Sequence, residues 1–101
     1  MYKILLCCTS GLTTSMLVNA MKKEAAAKKI DVMVWTVAAS AIDLSWADAD
    51  CILVAPQNAS DLTRVNELVK KTIPVTVIDG IDFSSMNGGA VLNHAISLIN
   101  G

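Results

Sequence analysis

The sequence predicts an α/β protein: one open sheet of four parallel strands in the order 2-1-3-4, with helices on both faces. Four short runs rich in Ile, Val and Leu read as strands buried on both sides. Segments between and after them carry apolar residues at helical spacing. The 101 residues, 53% of them hydrophobic, suffice for one domain with a core, so 1–101 is read as a single domain.

The first strand is placed at Tyr2–Cys7, the second at Asp31–Val37, the third at Cys51–Ala55 and the fourth at Val75–Ile78. Between the first two, Thr13–Lys29 places Leu17, Met21 and Ala25 at four-residue spacing, and its lysine-flanked end suits a helix carboxyl terminus. A second helix is expected from Ser60, whose hydroxyl would cap it, with Leu62, Val65, Leu68 and Val69 on one face. Lys70 and Lys71 close it, and Pro74 prevents continuation. Leu92, Ala95, Ile96 and Ile99 give Gly89–Ile99 as a terminal helix. Between Ala38 and Asp48 the pattern supports at most a short helix. Strands linked through helices take right-handed crossovers, and the flavodoxin-like order is the natural one for four strands. In that order ligands bind beyond the carboxyl ends of strands one and three, at the topological switch point. The loops after Cys7 and Ala55 are therefore where chemistry is expected.

Eight basic residues against nine acidic give a formal charge of -1, and only 4% of residues are aromatic. That leaves neither a basic footprint nor stacking platforms for nucleic acid. The longest apolar runs stop short of the ~20 residues of a spanning helix, and the amino terminus runs straight into a strand, so no membrane insertion or targeting segment is expected. Three cysteines, an odd number, fit a reducing compartment, and a cytoplasmic location is expected. Cys7 and Cys8 are adjacent, Cys51 is remote, and His94 is the lone histidine, so no zinc spacing exists and no metal or cofactor is expected.

After the first strand comes Cys8-Thr9-Ser10-Gly11-Leu12-Thr13-Thr14-Ser15, small and hydroxyl residues leading into the long helix. A left-handed Gly11 would turn successive amides toward one point, and the helix amino terminus would add unpaired donors and the positive dipole end. Thr13, Thr14 and Ser15 can add hydroxyl donors. A thiol held in such a cradle should ionise more readily than a free cysteine, so nucleophile and phosphate site coincide at Cys8. A simpler reading stays open on pattern alone: Cys8 as one more buried apolar residue, with the Thr/Ser run only capping a helix. Cys7, completing the strand, and Cys51, opening another, are read as core.

The segment from Ile4 to Leu17, an apolar strand followed by Cys-x-x-Gly and Ser/Thr residues opening a helix, resembles the active-site segment of lactose/cellobiose-type IIB proteins of the sugar phosphotransferase system. Ala55-Pro56-Gln57 after strand three, where that family usually has Gly-Pro-Gln, and Val77-Ile78-Asp79 after strand four extend the likeness over nearly the whole chain. Cys7 beside the active-site position is a departure, as is the compact stretch Ala38–Ala49. The resemblance implies a relay in which a phosphohistidine on a IIA partner gives its phosphoryl group to Cys8, which passes it to sugar bound by a membrane-embedded IIC partner. Pro56 and Gln57 would form a second loop beside the cysteine.

Gln57 and Asn58 could contact phosphate or a partner, or simply start a helix. Asp79 and Asp82 could approach the site as acids but read first as turn residues. His94 is read as structural, and Trp35 and Trp46 as packing. One rival function is a low-molecular-weight phosphatase, which needs Cys-x5-Arg; the Arg position holds Thr14, and the only arginine, Arg64, falls in a later helix. Another is a flavodoxin-like binding module with phosphate held by Thr9–Thr14, for which few aromatic residues are available to stack on a flavin.

Overall fold

In a computed structural model of the chain, the described residues are 2–8, 11–38, 42, 46–70 and 72–100, of which 11–14, 57 and 58 are described as backbone only. Strand β1, Tyr2–Cys8, is central, with both neighbours parallel to it: β2, Val32–Ala38, and β3, Cys51–Val54. Strand β4, Val75–Val77, pairs with β3, giving the order β2-β1-β3-β4 expected from the sequence. Cys7 faces Val37 on β2 and Val54 on β3, while Cys8 is paired with Ala38 alone. The first strand therefore ends one residue later than its apolar run suggested, because β2 extends to meet it.

Strand alternation sorts the core into two layers. Ile4, Leu6 and Cys8 of β1 join Cys51 and Leu53 of β3 on one face. There they pack under helix α1, Gly11–Ala27, with Leu17, Val18, Met21 and Ala25, and helix α4, Gly88–Asn100, with Val91, Leu92 and Ala95. Leu5 and Cys7 of β1 and Ile52 and Val54 of β3 occupy the other face, beneath Val65 and Val69 of helix α2, Leu62–Val69. Trp35, Trp46 and Val77 pack at the margin of that second layer, as expected of the tryptophans.

Helix α1 begins at Gly11, two residues before the expected start, and ends in a Schellman arrangement: Lys29 is left-handed at φ 57, Ile30 N–H donates to Ala25 C=O at 2.8 Å and Lys29 N–H to Ala26 C=O at 3.2 Å. The cap expected at Ser60 is not the one used. A 3-10 segment, Pro56–Asp61, precedes α2, and the residue at its cap position is Asp61, whose side chain makes no capping hydrogen bond. The stretch between Ala38 and Asp48 contributes a 3-10 turn at Trp46–Asp48 and a buried Ile42; 39–41 and 43–45 lie outside the described residues.

A short helix α3, Gly80–Ser84, stands where Asp-Gly and serine signalled a turn. Asp79 is its cap: the Oδ1 atom accepts from Ile81 N–H at 2.9 Å and Asp82 N–H at 3.2 Å. Met86 in the left-handed region, φ 54, then turns the chain into α4, where Asn87 Oδ1 accepts from Ala90 N–H at 3.1 Å. Helices α1 and α4 touch closely at Gly88. A Cβ built there would lie 2.5 Å from the carbonyl carbon of Ala20, so only glycine fits this crossing without moving a backbone.

Candidate functional site

The chain leaves β1 toward β2 on one side and reaches β3 on the other, so the switch point lies between the carboxyl ends of β1 and β3. Both loops named from the sequence start there. Ala55 N–H donates to Cys7 C=O at 3.0 Å, fixing the start of the Pro56–Asp61 turn beside the last residues of β1. Cys8 is the final residue of β1 and is 1% exposed, on the face covered by α1. Its backbone leads through 9 and 10 to the first turn of α1, whose leading N–H groups have no partner within the helix.

Thr9 and Ser10 lie outside the described residues, as do the side chains of Gly11, Leu12, Thr13, Thr14 and Gln57. Gly11 is the first residue of α1. Ser15 is exposed one turn into α1, and Met16 beside it is 56% exposed. Pro56 is half-buried at the head of the neighbouring turn.

Cys7 and Cys8, adjacent in sequence, are separated by the sheet. Cys7 is fully buried against α2, and burial pushes its thiol from an ordinary 9.0 up to about 11, with the Asp61 carboxylate raising it further and the Arg64 guanidinium opposing. Cys51 is buried at the start of β3, where burial and then the Asp50 charge push it to about 12, and its Sγ lies 4.0 Å from Ala95 C=O. Both behave as core, as read from the sequence. None of the three cysteines is in a disulfide.

Asp79 spends its carboxylate on the α3 cap, and His94 is exposed on α4. One pair at this end leaves no signal in the sequence: Asp61 and Arg64, with Arg64 Nε 3.6 Å from Asp61 Oδ1. Arg64 was legible only as part of a later helix; that the helix starts at the switch end follows from the topology. Among the described residues no group of His, Cys, Asp and Glu could hold a metal ion, and no helix is long and apolar enough to cross a membrane.

An open parallel sheet in the order β2-β1-β3-β4, covered by helices on both faces, defines the class: small flavodoxin-like α/β domains. Comparison with known proteins narrows the class. Residues 3–94 match the family model of the lactose/cellobiose-specific IIB subunit of the phosphotransferase system, and the chain belongs to that family. It is 33% identical over 102 residues to the oligo-β-mannoside-specific EIIB component of Bacillus subtilis, covering 98% of this chain and 97% of that one. It is also 33% identical over 106 residues to the cellobiose-specific EIIB component of Lactococcus lactis, covering 96% and 95%. The solution structure of the cellobiose-specific IIB component from Borrelia burgdorferi superposes with a TM-score of 0.83 at 36% identity, over 98% of this chain and 92% of that one. The lactose-specific IIB domain from Streptococcus pneumoniae, at 20% identity, shares the fold with a TM-score of 0.86 over 96% of each chain. The protein is thus a sugar-specific IIB component of the lactose/cellobiose type, a phosphotransferase-type protein that works within a sugar phosphotransferase system.

Proposed function

We propose that this chain carries a phosphoryl group on Cys8, taking it from a phosphohistidine of a IIA component and passing it to sugar bound by a membrane IIC component. The observation that carries the reading is the position of Cys8 at the end of the central strand, on the α1 face and three residues before the first residue of that helix. The cysteine sulfur attacks phosphorus as the P–N bond to histidine breaks, and the equatorial oxygens take their hydrogen bonds from amides of 9–15. A sugar hydroxyl then attacks phosphorus, the P–S bond breaks, and sulfur keeps the electron pair.

The phosphatase reading lacks its parts. Thr14 stands where the loop arginine would be, and Asp79, one candidate for the proton donor, is held as a helix cap. Hydrolysis of the phosphocysteine should accordingly be slow and turnover of aryl phosphates negligible. The test is phosphoryl uptake from a phosphohistidine donor by wild type, Cys8→Ser and Cys7→Ser. Uptake is expected to vanish in Cys8→Ser and largely persist in Cys7→Ser; the reverse pattern, or multiple-turnover release of phosphate from an aryl phosphate, rejects the carrier reading.

A further inference from the structure

Among the described residues, Ile81 is the most exposed large apolar side chain, at 77%, ahead of Met16 at 56% and Met33 at 48%. It stands in the first turn of α3, a helix of five residues fixed by the Asp79 cap at its start and by the buried Phe83 beneath. Phe83 shares a core cluster with Cys8, so α3 lies on the Cys8 face of the sheet. A single apolar side chain in water is ordinary on a protein surface. Its position relative to Cys8 gives this one a use.

The sheet sets that position. Ala55 N–H donates to Cys7 C=O at 3.0 Å and Ile78 N–H to Val54 C=O at 2.8 Å, so the carboxyl ends of β1, β3 and β4 stand side by side. With neighbouring strands ~4.8 Å apart, the chain leaves β4 toward α3 about 10 Å across the sheet from the end of β1. A partner centred on the end of β1 and burying a standard patch of roughly 800 Å², a disc about 16 Å in radius, extends over α3 as well.

The rim of such a patch is acidic. Asp79 and Asp82 flank Ile81, and Asp61 stands at the start of α2 at the same end of the sheet, with Arg64 the described cation beside it. Lys28 and Lys29 follow α1 and Lys70 caps the end of α2, at the opposite end of the sheet. An apolar anchor with an acidic rim fits a surface whose own rim is basic. Of the two partners that the carrier reading requires, the membrane IIC component is the one whose charge follows from a general rule: loops on the cytoplasmic side of a membrane protein carry an excess of Lys and Arg.

We propose that the exposed face of α3, Ile81 between Asp79 and Asp82, docks on the basic cytoplasmic loops of the membrane IIC component while Cys8 delivers its phosphoryl group. The assignment rests on the carrier reading. Ile81 supplies the apolar contact, and the carboxylates steer the encounter and fix its orientation.

The test loads Cys8 from a phosphohistidine donor and titrates the loaded chain against membranes containing the IIC component and sugar, at low and at high salt. Ile81→Ser is expected to raise the half-saturating concentration about tenfold with the maximal rate unchanged. Because Ile81 is exposed, the variant should keep the wild-type denaturation midpoint. Asp82→Asn should raise the half-saturating concentration about threefold at low salt and converge with wild type at high salt, and Asp82→Lys should raise it further. Uptake from the donor, titrated in the same way, should change far less in all three. If Ile81→Ser and Asp82→Lys leave transfer to the membranes at wild-type values, or if uptake from the donor weakens as much as that transfer, the assignment is overturned while the carrier reading stands. If wild type itself gains no phosphoryl group on Cys8, the carrier reading falls and takes this assignment with it.

Discussion

The two faces of the central strand carry consecutive cysteines into different surroundings. On one, Cys8 lies under α1 at the strand's last position; on the other, Cys7 is sealed beneath α2 with its thiol pushed up to about 11. The two residues have the same chemistry and nearly the same backbone position. What separates them is the period-two alternation of a strand, which assigns neighbours to opposite faces. A single-residue shift of β1 would exchange their roles, so the register with β2 and β3 is as much a part of the site as the thiol itself.

The face that holds Cys8 is also the one on which α1 and α4 touch closely at Gly88, and the largest expected effect comes from disturbing that contact. Gly88→Ala places a methyl group 2.5 Å from one backbone atom of Ala20 and 2.8 Å from Met21 N, so α1 or α4 must move. A loss of about 2 kcal/mol in unfolding free energy is expected by chemical denaturation. An unchanged midpoint would mean that the crossing of α1 and α4 is looser than the contact at Gly88 indicates.

Asp79→Ala reaches the same face more gently. It removes the acceptor for Ile81 and Asp82 N–H and should cost about 1 kcal/mol, with Phe83 the buried anchor that keeps α3 in place. Because the carboxylate serves as a cap, phosphoryl uptake should be retained in this variant. Loss of uptake at full stability would return Asp79 to the site as an acid.

The smallest effect at neutral pH belongs to the buried thiols and shows only in alkali. Cys7 and Cys51 keep their protons in the folded chain to about 11 and about 12 but release them nearer 9.0 when unfolded. Above that pH the unfolded chain binds fewer protons, so their contribution to stability is full below 9 and is lost as the pH rises through about 12. Denaturation midpoints measured from pH 8 upward should fall, and Cys51→Ala should flatten the upper part of the fall relative to wild type. Parallel curves for the two would show that Cys51 does not keep its proton in the fold.

Much of this architecture was legible because parallel strands buried on both faces leave continuous apolar runs. Tyr2–Cys7 and Cys51–Ala55 stood out for that reason, and the spacing of Leu17, Met21 and Ala25 marked α1. The errors fall where pairing or brevity decides. Cys8 belongs to β1 because Ala38 of β2 is opposite it, a fact about another strand that the local pattern does not carry. Helix α3 has five residues, too few to show a period, and the signal that marked Asp79 as a turn former was the capping chemistry that starts it. Ser60 resembled a cap, but the Pro56–Asp61 segment continues into α2 without a break. At the site, residue types named Cys8 and the Thr/Ser run from the sequence. The pairing of Asp61 with Arg64 was not legible, since it depends on where the topology sets the start of α2.

The central claim is that alternation along β1, and not reactivity in general, selects which cysteine is loaded. Its most direct test is localisation of the phosphoryl group on the unmutated chain. Wild-type protein is charged by its phosphohistidine donor and fragmented under conditions that preserve the P–S bond, and the modified residue is read by tandem mass spectrometry. Phosphate is expected on Cys8, with Cys7 and Cys51 unmodified. Phosphate on Cys7, or shared between Cys7 and Cys8, would contradict it.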